Sequence, residues 1–468
     1  MTPGKSPAAT TTGSKRPADR GRSPSISPPP LKRKAQSVIS KTAVANFFTP
    51  TSQKPKERTT WTERSPDDDT PATLLVAKYL PDRDENEQTL PPIKRRKIAA
   101  FDLDSTLITS ASGNTHAKDG ADWKWWHHRV PGRLRDLYNK EGYQVVIFTN
   151  QGGLTLHPDP KSKAPKSLKS RVPDFKQKCN VVLSHLDIPI TLYAATANDV
   201  YRKPRAGMWT ELCGDYDLQD SEIDRENTIF VGDAGGRIAT LNGKSKDFSC
   251  SDRNLAHNIG IKYETPEEFF LKEKPREFAR DFDLAKFPFS SAEEEALGKP
   301  PPVEKTNEKD VILFVGSPGA GKSTFYWKYL EPLGYGRINQ DTLKSRDKCI
   351  KAAAGLLKEG SSVVIDNTNA DHDTRAQWVE LARKYNVPIR CVWFKTPARL
   401  CEHNDMVRAL NGNLNPEFRQ SLPKLAFNGF LSRFKEPKLK EGFQDIVEVE
   451  FKFRGTKEEY EIWGRYWL

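Results

Sequence analysis

The sequence predicts two α/β domains, each built on a parallel sheet, behind a basic tail without fixed structure. Three observations carry this reading. The run Ile98-Ala-Ala-Phe101 is short and wholly apolar, as a buried parallel strand requires, and it ends at Asp102-Leu-Asp104. A second such run, Val311-Ile-Leu-Phe-Val315, leads directly into Gly316-Ser-Pro-Gly-Ala-Gly321-Lys322-Ser323. Residues 1–92 are rich in Ser, Thr, Pro, Lys and Arg, and too poor in large apolar groups to offset their conformational entropy.

A chain of 468 residues accommodates two or three domains. No run of 18 apolar residues occurs, so no membrane span is expected, and the start lacks the apolar core of a secretory leader. The six cysteines form no CxxC pair and no metal-finger spacing, which fits reduced thiols inside a cell. The formal charge of +12 is concentrated in the tail, where residues 1–60 hold 12 Lys and Arg against two acids. The charge therefore describes the tail and is no evidence that the folded body binds nucleic acid.

Within the tail, Lys15-Arg16 and Lys32-Arg33-Lys34 resemble a bipartite nuclear import signal, so an import receptor and the nucleus are expected. Ser-Pro and Thr-Pro steps offer phosphorylation sites. One apolar island, Val44 with Phe47-Phe48, resembles the peptide that plugs into the replication sliding clamp, with Lys41 where that peptide usually has Gln.

Residues 93–275 read as the first domain. Trp123-Lys-Trp-Trp126 is either packing or a base-stacking surface. A helix is expected from Pro131 to Glu141, closed by Gly142, then a buried strand Tyr143–Phe148 ending in Thr149-Asn150. Phe175–Leu186 is expected to be helical. Strands at 190–195 and 228–231 lead to Lys203 and to Asp233. Open parallel sheets place their sites at the carboxyl ends of strands. The ends here offer two acids, a hydroxyl, a cation and a third acid. That set suits phosphoryl transfer: a carboxylate nucleophile, a carboxyl proton shuttle, phosphate ligands and an oxygen-rich Mg²⁺ site.

This constellation resembles the haloacid-dehalogenase-type phosphatases. The resemblance implies Asp102 as nucleophile and Asp104 as acid/base, with Thr149 and Lys203 on the phosphate. It implies Asp102, Asp104 and Asp233 as the metal group. Ser105 stands where that family usually has Gly.

Residues 276–306 read as a linker with a Pro-rich end, and 307–468 as the second domain. Gly316–Ser323 carries every fixed position of a P-loop, between a strand and a helix expected from Thr324 to Leu330. Gly316, Gly319 and Gly321 let backbone N–H groups wrap phosphates, with Thr324 just beyond. Lys322 reaches the terminal phosphates of ATP, and Ser323 binds Mg²⁺. Asp366 ends the strand Ser362–Ile365, where a P-loop protein places a carboxylate near the metal. Asp341 is a candidate base for an attacking hydroxyl, or a cap on the helix after it. Arg399, His403 and Arg408 lie in a region suited to a lid.

The order of the two domains goes with FDLDSTLIT, VIFTNQ, YRKPRAGMW, IFVGDAGGR, GSPGAGKST and VVIDNTN. Together they resemble the eukaryotic polynucleotide kinase 3′-phosphatase family over roughly 95–468. The resemblance implies a haloacid-dehalogenase-like phosphatase fused to a P-loop kinase, acting in single- and double-strand break repair. It would remove 3′-phosphate from DNA ends, phosphorylate 5′-hydroxyls with ATP, and work as a monomer. It assigns the kinase base to Asp341 and the lid arginine to Arg408. Residues 1–92 are too short and polar for the phosphopeptide-binding domain of animal members, and Gln340 and Met406 replace basic residues. The same chemistry on RNA, or a nucleotide-binding scaffold, are the alternatives. Lys161, Lys163, Lys166, Lys169 and Arg171 are either backbone contacts or a solvated loop.

Overall fold

The computed structural model describes residues 58–82, 94–115, 117–157, 171–241, 243–290 and 303–468. The import-signal clusters, Val44, Phe47, Phe48 and the lysines of 161–169 lie outside the described residues.

The first sheet begins earlier than expected. Strands β1 (Thr59–Arg64) and β2 (Leu74–Tyr79) form an antiparallel hairpin within the segment assigned to the tail. The expectation of an unstructured 1–92 is thus corrected over residues 58–82. Leu74-Leu-Val-Ala-Lys-Tyr79 is a strand-length apolar run, with five of its six residues buried. Averaging it into 92 polar residues hid it. Strand β3 (Lys97–Phe101) follows, then β4 (Ile108–Thr109) and β5 (Lys124–Trp125), a small antiparallel pair above the sheet. Next come α1 (Arg129–Asn139), β6 (Tyr143–Asn150), α2 (Arg171–Leu186), β7 (Ile190–Ala195) and α3 (Gly207–Asp215). Strand β8 (Ile229–Val231), α4 (Ser251–Ile259), β9 (Lys262–Glu264) and α5 (Pro266–Leu271) complete the domain.

The sheet order is β1-β2-β7-β6-β3-β8-β9. Strands β7, β6, β3, β8 and β9 are parallel, and β2 joins β7 antiparallel. Alternation along β3 sends Ala99 and Phe101 into one core and Ile98 and Ala100 into the other, so helices cover both faces. Burying the larger of these, Ile98 and Phe101, contributes about 1.5–3 kcal/mol each. The tryptophans of 123–126 pack partly buried against the first core, with Trp126 6.1 Å from the Phe270 ring.

The second sheet, in order β11-β12-β10-β13-β14, is parallel throughout. Its elements are β10 (Val311–Val315), α6 (Lys322–Phe325), β11 (Gly336–Ile338), α7 (Gln340–Leu343), α8 (Arg346–Lys358) and β12 (Val363–Ile365). Then come α9 (His372–Lys384), β13 (Ile389–Phe394), α10 (Ala398–Leu410), α11 (Lys424–Arg433), β14 (Ile446–Val449) and α12 (Lys457–Trp463). The expected helix after the P-loop is α-helical only to Phe325 and continues as a wider π turn over Tyr326–Leu330.

The linker expectation needs a second correction. Leu284 is buried with Leu400, Val407, Trp463 and Tyr466, and Phe282 and Phe287 pack against that cluster. The Tyr460 hydroxyl donates to the Phe287 carbonyl at 2.9 Å. Aromatic side chains in 282–287 give this stretch its own apolar anchor, so its first half is part of the folded body.

Candidate active sites

Asp102 leaves the end of β3 with its N–H bonded to the Val231 carbonyl at 2.9 Å, which brings the ends of β3 and β8 together. Its Oδ1 lies 2.5 Å from Lys203 Nζ. Lys203 is buried; it donates to the Phe148 carbonyl at 2.8 Å and lies 2.8 Å from Asp252 Oδ1. The Asn150 side chain fixes the lysine's backbone on both sides: Lys203 N donates to Asn150 Oδ1 at 2.9 Å, and Asn150 Nδ2 donates to Lys203 O at 3.1 Å. Asn150 is the last residue of β6, so one strand end carries both Thr149 and the clamp on Lys203.

Asp102, Asp233 and Asp252 each present one oxygen within 4.8 Å of the others. Burial, with neighbouring carboxylates, pushes Asp102 up to about 7 and Asp233 up to about 8. Burial alone would depress the Lys203 ammonium, but Asp102 and Asp252 outweigh it and raise it to about 12. Three acids and one lysine leave an excess of negative charge, and a hard divalent cation fits such an oxygen set.

Asp252 was not among the expected site residues. No local signal marks it: it lies in the first turn of α4, and its Oδ2 accepts from Ala234 N of a separate segment at 3.0 Å. Gly232 makes that approach possible, because a Cβ there would stand 2.2 Å from Asp252 Oδ2.

Asp104, expected among the metal ligands, stands outside this group. Its carboxylate is half exposed, accepts from Gln151 Nε2 at 2.7 Å and lies 3.4 Å from Lys178 Nζ. Gln151 Nε2 also donates to the Thr149 hydroxyl at 2.9 Å. Leu103 separates the two acids because the chain peels off the strand there, aiming Asp102 inward and Asp104 at the entrance. Ser105 follows at φ +62°, the left-handed conformation that favours glycine.

In the second domain the P-loop wraps Lys322, whose Nζ donates to Gly316 O at 3.0 Å and Ser317 O at 2.7 Å. Burial pushes this ammonium down to about 8. Gly319 has φ +73°, and a Cβ on it would lie 2.2 Å from the Cys401 carbonyl, so α10 can approach only a glycine. The Ser323 hydroxyl donates to Asp366 Oδ2 at 2.8 Å. Arg337 Nε donates to the same oxygen at 2.7 Å. Asn339, not Asp341, caps α7: its Oδ1 accepts from Asp341 N at 2.8 Å and Thr342 N at 3.3 Å. That leaves the Asp341 carboxylate exposed, with Arg419 2.8 Å away.

A cleft of about 1110 Å³ joins Gly319, Gly321, Lys322, Ser323, Thr324 and Asp341 to Asp366, Arg408 and Arg419. Arg408 pairs with the buried Asp405 at 2.5 Å. The other two lid candidates face elsewhere. Arg399 pairs with Asp281 at 2.6 Å and with Glu402, and His403 is buried on the Trp463 carbonyl at 3.0 Å.

Residues 97–270 match the family model described as polynucleotide kinase 3 phosphatase, and residues 311–437 match that of an AAA domain. The bifunctional polynucleotide phosphatase/kinase of Schizosaccharomyces pombe is 38% identical over 374 residues, 80% of this chain and 84% of the relative. A protein of Acanthamoeba polyphaga mimivirus provisionally given the same name is 32% identical over 388 residues, 79% of this chain and 88% of its own. The polynucleotide 3′-phosphatase ZDP of Arabidopsis thaliana is 31% identical over 186 residues, 37% of this chain and 24% of that protein.

Proposed function

The chain belongs to the bifunctional polynucleotide phosphatase/kinase family, and on that premise we propose that it heals broken DNA ends in the nucleus. It is an enzyme with one phosphatase and one kinase domain. The observation that carries the reading is the pairing, in one chain, of the Asp102–Lys203 centre with a P-loop around Lys322.

At the first centre, Asp102 attacks the phosphorus of a DNA 3′-phosphate. The bond from phosphorus to the 3′-oxygen breaks as the aspartyl-phosphate forms, and Asp104 protonates the departing oxygen. Asp104 then takes a proton from water, which attacks the phosphorus and releases inorganic phosphate and free Asp102. Lys203 and Thr149 hold the phosphoryl oxygens. Asp104 suits the shuttle because it faces solvent and the Thr149 side through Gln151. Mg²⁺ fits Asp102, Asp233 and Asp252, and when bound supplies the positive charge that this acid group lacks.

At the second centre, Asp341 takes the proton of a DNA 5′-hydroxyl as that oxygen bonds to the γ-phosphorus of ATP and ADP leaves. Lys322 and the P-loop backbone hold the phosphates, Ser323 and Asp366 suit a second Mg²⁺, and Arg408 lines the cleft beside them. Removing a 3′-phosphate and adding a 5′-phosphate is redundant for one small metabolite but serves the two ends of one broken strand. Strand-break repair, nuclear import through the basic clusters, a sliding-clamp contact through Val44, Phe47 and Phe48, and a monomeric state complete the proposal.

The test is a gel assay on labelled DNA and RNA oligonucleotides bearing 3′-phosphate and 5′-hydroxyl, with Mg²⁺ and ATP. Loss of the 3′-phosphate and gain of a 5′-phosphate on DNA is expected. Preference for RNA overturns the DNA assignment, and inactivity on both overturns the end-healing reading.

A further inference from the structure

The segment between α10 and α11 ends in a tightly built loop. Asn415, itself buried, brackets Arg419 on both backbone sides: Arg419 N donates to Asn415 Oδ1 and Asn415 Nδ2 donates to Arg419 O, each at 2.8 Å. Phe418 N donates to the Asn415 carbonyl at 3.0 Å. The loop is therefore closed by three hydrogen bonds, with Phe418 at its tip.

Two features of Phe418 need a cause. The residue is 86% exposed. Its backbone has φ +50°, a conformation that a bulky L residue rarely adopts. Among the described aromatic residues only Phe248, at 84%, is comparably exposed. Both sequence neighbours turn into the kinase cleft. Arg419 reaches Asp341 at 2.8 Å and Glu417 at 2.6 Å, and Glu417 reaches Arg337 at 2.7 Å. Leu422 and Leu425, a few residues on, are also exposed apolar side chains.

We propose that Phe418 is a stacking platform for a nucleobase of the acceptor strand, and that Arg419 beside it receives that strand's backbone phosphate. This rests on the polynucleotide kinase reading and deepens it. The accepting 5′-hydroxyl has to reach Asp341, so its strand leaves the cleft past the residue that touches Asp341, which is Arg419. A chain of nucleotides leaving there presents alternating negative charge and flat π faces. The loop presents a guanidinium and an exposed ring in adjacent positions, the combination by which proteins hold single strands without reading sequence. A small acceptor would use the arginine and leave the ring idle.

The experiment compares the full chain with Phe418→Ala and Phe418→Trp, using a single-stranded 5′-hydroxyl oligonucleotide and ATP. Phe418→Ala is expected to raise the KM for oligonucleotide roughly five- to tenfold, as loss of one base stack implies. The KM for ATP and the 3′-phosphatase rate should stay within twofold, and Phe418→Trp should restore the oligonucleotide KM. An abasic residue placed in turn at each of the first three acceptor positions should weaken the wild type at one position and leave Phe418→Ala indifferent. An unchanged oligonucleotide KM in Phe418→Ala, or an equal rise for ATP, overturns the platform. A wild type that phosphorylates no oligonucleotide overturns instead the polynucleotide reading beneath it.

Discussion

The side-chain amide of Asn258 pairs both ways with the backbone of Tyr466: Tyr466 N donates to Asn258 Oδ1 at 2.8 Å, and Asn258 Nδ2 donates to Tyr466 O at 2.7 Å. The same Nδ2 donates to Pro204 O at 2.8 Å, and Arg205 Nε donates to Trp467 O at 3.1 Å. Residues just beyond α12 thus lie against the loop that carries Lys203. One asparagine of the phosphatase domain holds residues just beyond α12 of the kinase domain and braces Pro204, the residue after Lys203.

Asn258→Ala is therefore expected to loosen both contacts, with the effect on rate falling on the Lys203 loop. Each buried group left unpaired costs about 1–3 kcal/mol. The 3′-phosphatase kcat should fall several-fold as the Lys203 loop loosens, while the kinase keeps its rate and the melting temperature drops. Steady-state rates for both activities and a thermal melt decide it. An unaltered phosphatase would disconnect Tyr466 from Lys203.

The two chemistries should separate cleanly. Asp102→Asn keeps the shape of the side chain but removes the attacking charge, so phosphatase activity should fall by on the order of a thousandfold or more with the kinase intact. Lys322→Ala should do the reverse. An equimolar mixture of the two variants should then heal both ends of one oligonucleotide, followed on a gel. If either variant lost both activities, the sites would not be independent.

Much of this site was legible because its residues fall at strand ends, where sequence spacing and geometry coincide. Asp102, Thr149, Asp233 and the P-loop were of that kind, whereas Lys203 lies eight residues beyond the end of β7 and is brought to the site by Asn150. Asp252 was not, because it stands in the first turn of a helix and depends on a glycine, Gly232, in another segment. Arg337, Arg419 and Glu417 were equally hidden. They meet only when the segment between α10 and α11 folds back over β11, and no local period marks such a contact. The β1–β2 hairpin escaped notice because its partner, β7, lies more than a hundred residues downstream. Ser105 was noticed as a departure, and its positive φ explains why glycine is usual there.

Asp252→Asn tests the carboxylate group directly. If the three acids hold Mg²⁺ as proposed, removing one charge should raise the Mg²⁺ concentration for half-maximal phosphatase activity by about tenfold or more, the scale seen even for outer-shell losses at metal sites. The kinase, with its own Ser323 and Asp366, supplies the control within the same chain and should keep its Mg²⁺ dependence. A shift shared by both activities would place the effect elsewhere.

His403 sets an acid limit on the fold. Its ring is buried between Phe282 at 5.0 Å and Trp463 at 5.4 Å, with Nε2 3.0 Å from the Trp463 carbonyl. A carbonyl can only accept, so Nε2 carries the proton, and Nδ1 is buried without a partner among the described residues. Burial pushes the imidazole down to about 4, against the opposing pull of the Trp463 carbonyl. Between pH 6.5 and 4 the unfolded chain therefore binds a proton that the folded chain refuses, and stability rises with pH across that window. Acidification from 6.5 to 4 should cost on the order of 3 kcal/mol from this residue alone. His403→Gln keeps an amide donor near the Trp463 carbonyl and removes the titration. Its melting temperature, measured from pH 7 to pH 4, should fall less steeply than that of the parent chain. Parallel curves would mean that His403 takes up its proton in the folded state and that the buried cluster around Trp463 opens to water.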